Sequence, residues 1–171
     1  MWIEEAQLVP DDLKLGIFGW SCSVKENTVV VGDPHYGKID GRGAVFVYVY
    51  NSLSNTWDQS NITLASDDCD GDFGASVVLT NYGGLLIGCA NGTSIGAIYY
   101  YAQSGAEGQY VFKQRITPSE GTFYFGSYHS IATYGKFMAV GTNNTTISGG
   151  AHVFAKVNNT WIEVAKFDPP A

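Results

Sequence analysis

Apolar positions along the chain gather in runs of four to six residues, each closed by Gly, Asn, Asp or Ser. "TVVVG", "GAVFVYVY", "GLLIG", "GAIYYYA", "FMAVG" and "GAHVFAK" are rich in β-branched and aromatic residues, which fit a pleated, half-buried surface. No window places Ala, Leu, Glu and Lys at 3.6-residue spacing, so no helix is expected. The pattern predicts an all-β chain of short strands joined by tight turns.

The runs repeat. "FGWSCSV" stands at 18–24, "FGASVVL" at 73–79 and "FGSYHSI" at 125–131, and their phenylalanines are 55 and 52 residues apart. Each Phe-Gly opens a unit of four apolar segments. The first unit covers 18–64, the second 73–116 and the third 125–167. Four antiparallel strands repeated about every 50 residues is the arithmetic of a β-propeller blade. Within each unit a Gly-Ala pair (Gly43, Gly96, Gly150) starts the third strand, where close backbone approach or a positive φ excludes a side chain. The phenylalanines of the pairs Phe18–Gly19, Phe73–Gly74 and Phe125–Gly126 are expected to pack between neighbouring blades. Trp2, Trp57 and Trp161 hold one place in the unit, since Trp2 precedes Phe18 by 16 residues, as Trp57 precedes Phe73. Residues 1–17 therefore read as the outer strand of a preceding blade.

These segments resemble the FG-GAP repeat of integrin α-subunit propellers and of many microbial and algal surface proteins. The first unit carries the pattern most completely, in "VVVGDPHYGKIDGRGAVFVYVY". The second keeps "LLIG" but continues with "CAN", and the third reads "AVGTNN". The resemblance implies a propeller used for adhesion, ligand binding or surface architecture. Integrin-type repeats often place an Asp-rich calcium loop between the first two strands of a blade. Here those loops read "KENT", "TNYGG" and "TYGK", with no Asp, while calcium takes six to eight oxygen ligands. The family's metal sites are not carried over.

Charge and composition narrow the function. A formal net charge of −7 with nine scattered Lys and Arg argues against nucleic acid, whose phosphates need clustered cations. No apolar stretch approaches the roughly 20 residues of a membrane span. The opening "MWIEEAQLVPDD" lacks the basic and apolar regions of a signal peptide. Ten Asn would give roughly one or two N-x-S/T triplets by chance, yet five occur, at Asn61, Asn91, Asn143, Asn144 and Asn158. They point to a secreted or cell-surface glycoprotein; favoured Asn, Ser and Thr in turns is the competing account.

Few residues suggest chemistry. Cys69 precedes the first strand of its unit and Cys89 ends the second, and antiparallel pairing brings those points together, so a disulfide is expected. Cys22 takes the slot of Val77 and His129 and reads as a small buried filler. "DDCDGDFG" at 67–74 supplies Asp68, Asp70 and Asp72, a weak calcium candidate set against an ordinary solvated turn. His35, His129 and His152 lie in different units without ligand spacing. No G-x-S-x-G elbow occurs, and Ser21 and Ser76 are repeat-equivalent, as scaffold residues are. Tyr36 or Tyr82 in loops would suit stacking on a sugar.

Three blades make an open arc, because roughly four to eight close a ring. The expectation is a non-enzymatic, cofactor-free structural or adhesive module that self-associates or continues into further blades. A lectin-like propeller gripping a carbohydrate or protein is the alternative.

Overall fold

The computed structural model describes residues 1, 3–12, 16–37, 42–64, 68–69, 71–90, 95–105, 109–120, 124–127, 129–142 and 149–168, without the side chains of 61–64. The described chain is all β. The first sheet holds β1 (Ser21–Lys25), β2 (Thr28–Asp33), β3 (Ala44–Asn51) and β4 (Thr56–Leu64). The second holds β5 (Phe73–Leu79), β6 (Gly84–Cys89), β7 (Ala97–Gln103) and β8 (Tyr110–Ile116). The third holds β9 (Ile131–Tyr134), β10 (Phe137–Thr142), β11 (Gly150–Val157) and β12 (Thr160–Phe167). Each sheet is an antiparallel meander in chain order, and these are the three blades.

Turn chemistry sets the hairpins. Asn158 and Asn159 join β11 to β12 with φ of 48° and 63°, the left-handed pair that suits a two-residue hairpin and that Asn tolerates. Each blade also breaks register once between its third and fourth strands, at Val47/Tyr48, Tyr100/Tyr101 and Val153/Phe154. A bulge there strengthens the local twist, and its recurrence makes it part of the repeat.

Alternation along the strands gives each blade two apolar faces, so the core lies between blades. Val30, Val45 and Val47 of the first blade meet Phe73, Val77, Leu85, Ile87 and Tyr99 of the second. The second blade's opposite face, with Leu86, Ile98 and Tyr100, meets Ile131, Met138, Val140, Phe154 and Trp161 of the third. Phe73 and Phe125 are fully buried in these interfaces, where the Phe-Gly spacing placed them. The outer face of the first blade gathers Val31, Tyr36, Ala44, Phe46 and Tyr48.

Residues 3–12 form no strand. A strand needs a neighbour to pair with, and the described chain offers none beyond the first blade. Instead the segment lies along that blade's outer face. Leu8 packs on the Phe46 and Tyr48 cluster, the Asp11 amide donates to Gln59 Oε1 (3.1 Å), and the Tyr36 hydroxyl donates to Asp12 (3.1 Å). Trp2 lies outside the described residues, while Trp57 is half-buried and Trp161 buried.

Candidate functional site

The recurrent feature of the molecule is a glycine notch that receives the backbone of the next blade. β1 pairs Ser21 with Gly32 of β2. A Cβ built on Gly32 would lie 2.1 Å from the Gly74 carbonyl oxygen, and one on Gly43 would lie 2.1 Å from that of Phe73. Both positions exclude a side chain because two consecutive carbonyls of the next Phe-Gly turn press into them. Ser21 Oγ donates to the same Gly74 carbonyl at 2.7 Å, which satisfies an acceptor that burial would otherwise leave costly. Two further contacts run from β1 to the neighbouring blade. The Leu79 amide donates to Ser23 Oγ (3.1 Å) and Lys25 Nζ to the Thr80 carbonyl (2.9 Å).

The second interface repeats the arrangement. Ser76 pairs with Gly88, and Cβ atoms on Gly88 and Gly96 would each lie 1.8 Å from the carbonyl oxygens of Gly126 and Phe125. In the third blade Ser130 accepts the Gly141 amide at 2.9 Å, so the same Ser–Gly pair is present. There, however, a Cβ on Gly141 would meet nothing closer than Ser130 itself at 3.9 Å among the described residues. Ser130 Oγ is enclosed and has no hydrogen-bond partner.

This register corrects a residue assignment. Counting from Phe-Gly equates Cys22 with His129, but Cys22 pairs with Val31, and in the third blade Ile131 pairs with Val140. The third blade inserts two residues before its first strand, taken up by His129 in the left-handed region (φ 54°) and a Ser130-to-Ser127 turn. Cys22 is also exposed, not buried filler, because no described blade covers its side of β1.

Cys69 and Cys89 form a disulfide with a Cα–Cα distance of 6.1 Å across 20 residues. It ties the loop entering the second blade to the end of β6, beside Phe73.

The acidic loop is divided. Asp68 faces Arg115 Nε at 3.4 Å, while Asp72 faces His35 Nε2 at 3.8 Å. Burial raises the Asp72 pKa, and the His35 charge works in the opposite direction. Asp70 lies outside the described residues, and among the described residues no three His, Cys, Asp or Glu gather as a metal set.

His152, read as isolated, is fully buried. Its Nδ1 donates to Glu163 Oε1 at 3.0 Å, and Glu163 also accepts the Ser119 amide (2.8 Å) and hydroxyl (3.0 Å). Burial opposes ionisation of Glu163, but the hydrogen bonds from His152 and Ser119 outweigh it and lower its pKa. Side-chain identity gave no clue to this triad, since its members come from β11, β12 and the segment after β8.

Of the proposed sugar-stacking aromatics, Tyr36 is buried edge-on against Phe46 at 5.4 Å and offers no exposed face. Tyr82 is 66% exposed and borders a cleft of about 300 Å³ with Gln103, Lys113, Lys156 and Asn159. Asn158 is exposed in the β11–β12 hairpin and Asn61 lies in β4, whereas Asn91, Asn143 and Asn144 fall outside the described residues. No described helix is long and apolar enough to cross a membrane.

Sequential four-stranded meanders, packed face to face around buried Phe-Gly turns, define a β-propeller module. The family model described as FG-GAP repeat matches residues 2–48, so the stretch from the N-terminal segment into β3 is similar to an FG-GAP repeat. The second and third blades repeat its Ser–Gly pair. No curated protein matches the chain.

Proposed function

We propose that this chain is a non-enzymatic, cofactor-free structural or adhesive propeller module of the extracellular space or cell surface, assembling through its open blade edges. The outward face of the third blade carries this reading. Tyr134, Phe137, Ile162 and Phe167 are exposed there, around Ala132, Ala139, Ala151 and Val153. The corresponding face of each earlier blade is covered by its successor. An apolar sheet face of this kind marks an interaction surface. The Cys69–Cys89 disulfide and the exposed sequon at Asn158 support an oxidising, glycosylating compartment.

Sedimentation velocity over a concentration series tests the assembly. The chain is expected to form a species larger than itself, and Ala139→Glu, which puts a charge on the open face, is expected to abolish it. A wild-type chain that stays monomeric throughout overturns the reading. In that event the cleft beside Tyr82 makes the lectin-like alternative the one to pursue, by glycan binding to the monomer.

A further inference from the structure

We infer that the Ser130–Gly141 notch is a vacant receptor for the Phe18–Gly19 turn of a second copy of this chain. The inference rests on the assembly reading above and specifies its contact. Two filled examples lie within the chain. In each, a Ser–Gly pair across the first two strands of a blade receives the glycine carbonyl of the next Phe-Gly turn, with Gly32 taking Gly74 and Gly88 taking Gly126. In the first, the serine hydroxyl completes the contact. The third pair has the same partners and, among the described residues, nothing in the glycine position. Its serine hydroxyl lacks the hydrogen bond that Ser21 makes.

The matching turn is preformed at the other end. Gly19 has φ of 93°, against 91° for Gly74 and 79° for Gly126. The Trp20 amide closes the turn on the Ile17 carbonyl at 3.1 Å, as Ala75 does on Asp72 and Ser127 on Tyr124 at 3.0 Å. Among the described residues a Cβ on Gly19 would meet nothing within 4 Å, whereas those on Gly74 and Gly126 would meet backbone carbonyls of the preceding blade. The turn is thus shaped for a notch that no described residue supplies. Beside it Cys22 is exposed on β1 at the position equivalent to Val77 and Ile131, and Val24 at that of Leu79, all three of which are buried against a preceding blade.

Among the described residues, one copy therefore leaves the Gly19 position unfilled at its first blade and the Gly141 position unfilled at its third. Joining them is a heterologous, head-to-tail contact, which closes into a ring when the rotation allows and otherwise runs on as a filament. A pair that closes in this way brings six of the described blades together, within the range of a propeller ring.

The test compares wild type with Gly141→Val by sedimentation velocity and thermal melting. Among the described residues the space at Gly141 is open, so the variant is expected to keep its melting temperature and lose the pair. Gly141→Ala serves if valine disturbs the strand. Ser130→Ala, which removes one hydrogen bond, is expected to raise the dissociation constant about fivefold. Gly88→Ala is the contrast, since a Cβ there meets the backbone of the same chain and should unfold the monomer. Self-association undiminished by Gly141→Val and Gly141→Ala overturns the notch while leaving assembly through another part of the face intact. A wild type that never associates overturns both.

Discussion

Gln114 and Trp161 clasp one another across the second blade interface. The Gln114 amide nitrogen donates to the Trp161 carbonyl at 2.9 Å, and the Trp161 backbone amide donates to Gln114 Oε1 at 2.8 Å. One side chain thus reproduces the reciprocal pairing of a strand neighbour and fastens β8 to β12. The Trp161 ring, set edge-on to Tyr100 at 6.2 Å, is held at that spot.

Replacing Gln114 with Ala leaves both backbone groups of Trp161 without these partners. The cost is expected to be about 2 kcal/mol, read as a lower urea midpoint with unchanged slope. Gln114→Glu is expected to recover only part, because a carboxylate accepts from the Trp161 amide but cannot donate to its carbonyl.

Reduction of Cys69–Cys89, or the Cys69→Ser/Cys89→Ser double variant, is expected to destabilise the chain by about 3 kcal/mol, the chain-entropy value for a loop near this size. The loop of 20 residues encloses β5 and β6, so the loss should centre on the second blade. Hydrogen exchange with and without reductant checks this. Protection should fall first at β5 and β6, with β11 and β12 changing least.

Acid should loosen the third blade through Glu163. Its pKa is lowered in the folded chain by His152 and Ser119, from an ordinary value of 4.5. A depressed carboxylate contributes stability above its unfolded pKa and loses it as pH falls through the folded one. Melting temperature is therefore expected to drop below about pH 4.5, and Glu163→Gln should flatten that part of the profile. The variant should be less stable at pH 7 and closest to wild type in acid.

The strands, their order and the disulfide were legible because each depends on local signals. Alternating apolar runs, turn residues and the distance from Cys69 to Cys89 all act within one unit. Gly43 and Gly96 were legible as places of close approach, but their partners were not, because the carbonyls that fill them, of Phe73 and Phe125, belong to the next blade. The third blade escaped direct counting. Its two-residue insertion moves Ile131 into the slot that simple spacing assigns to His129, and only the pairing with Val140 reveals the shift. Cys22 and Tyr36 were misread for a related reason. Burial at those sites depends on what lies across the outer face of the first blade, where Cys22 is exposed and Tyr36 meets Phe46 and Asp12. The Glu163 triad and the Gln114 clasp have no periodic signature at all.

The glycine notch has a consequence for how such a chain lengthens. What passes between one blade and the next there is main chain, a carbonyl oxygen set against a bare α-carbon, and main chain is the same in every unit. Side chains in the surrounding interface can therefore drift, as Val30 and Val45 have become Leu86 and Ile98, without spoiling the join. A duplicated stretch of gene encoding one unit would arrive already able to dock on its parent. Growth by copying is built into the connector.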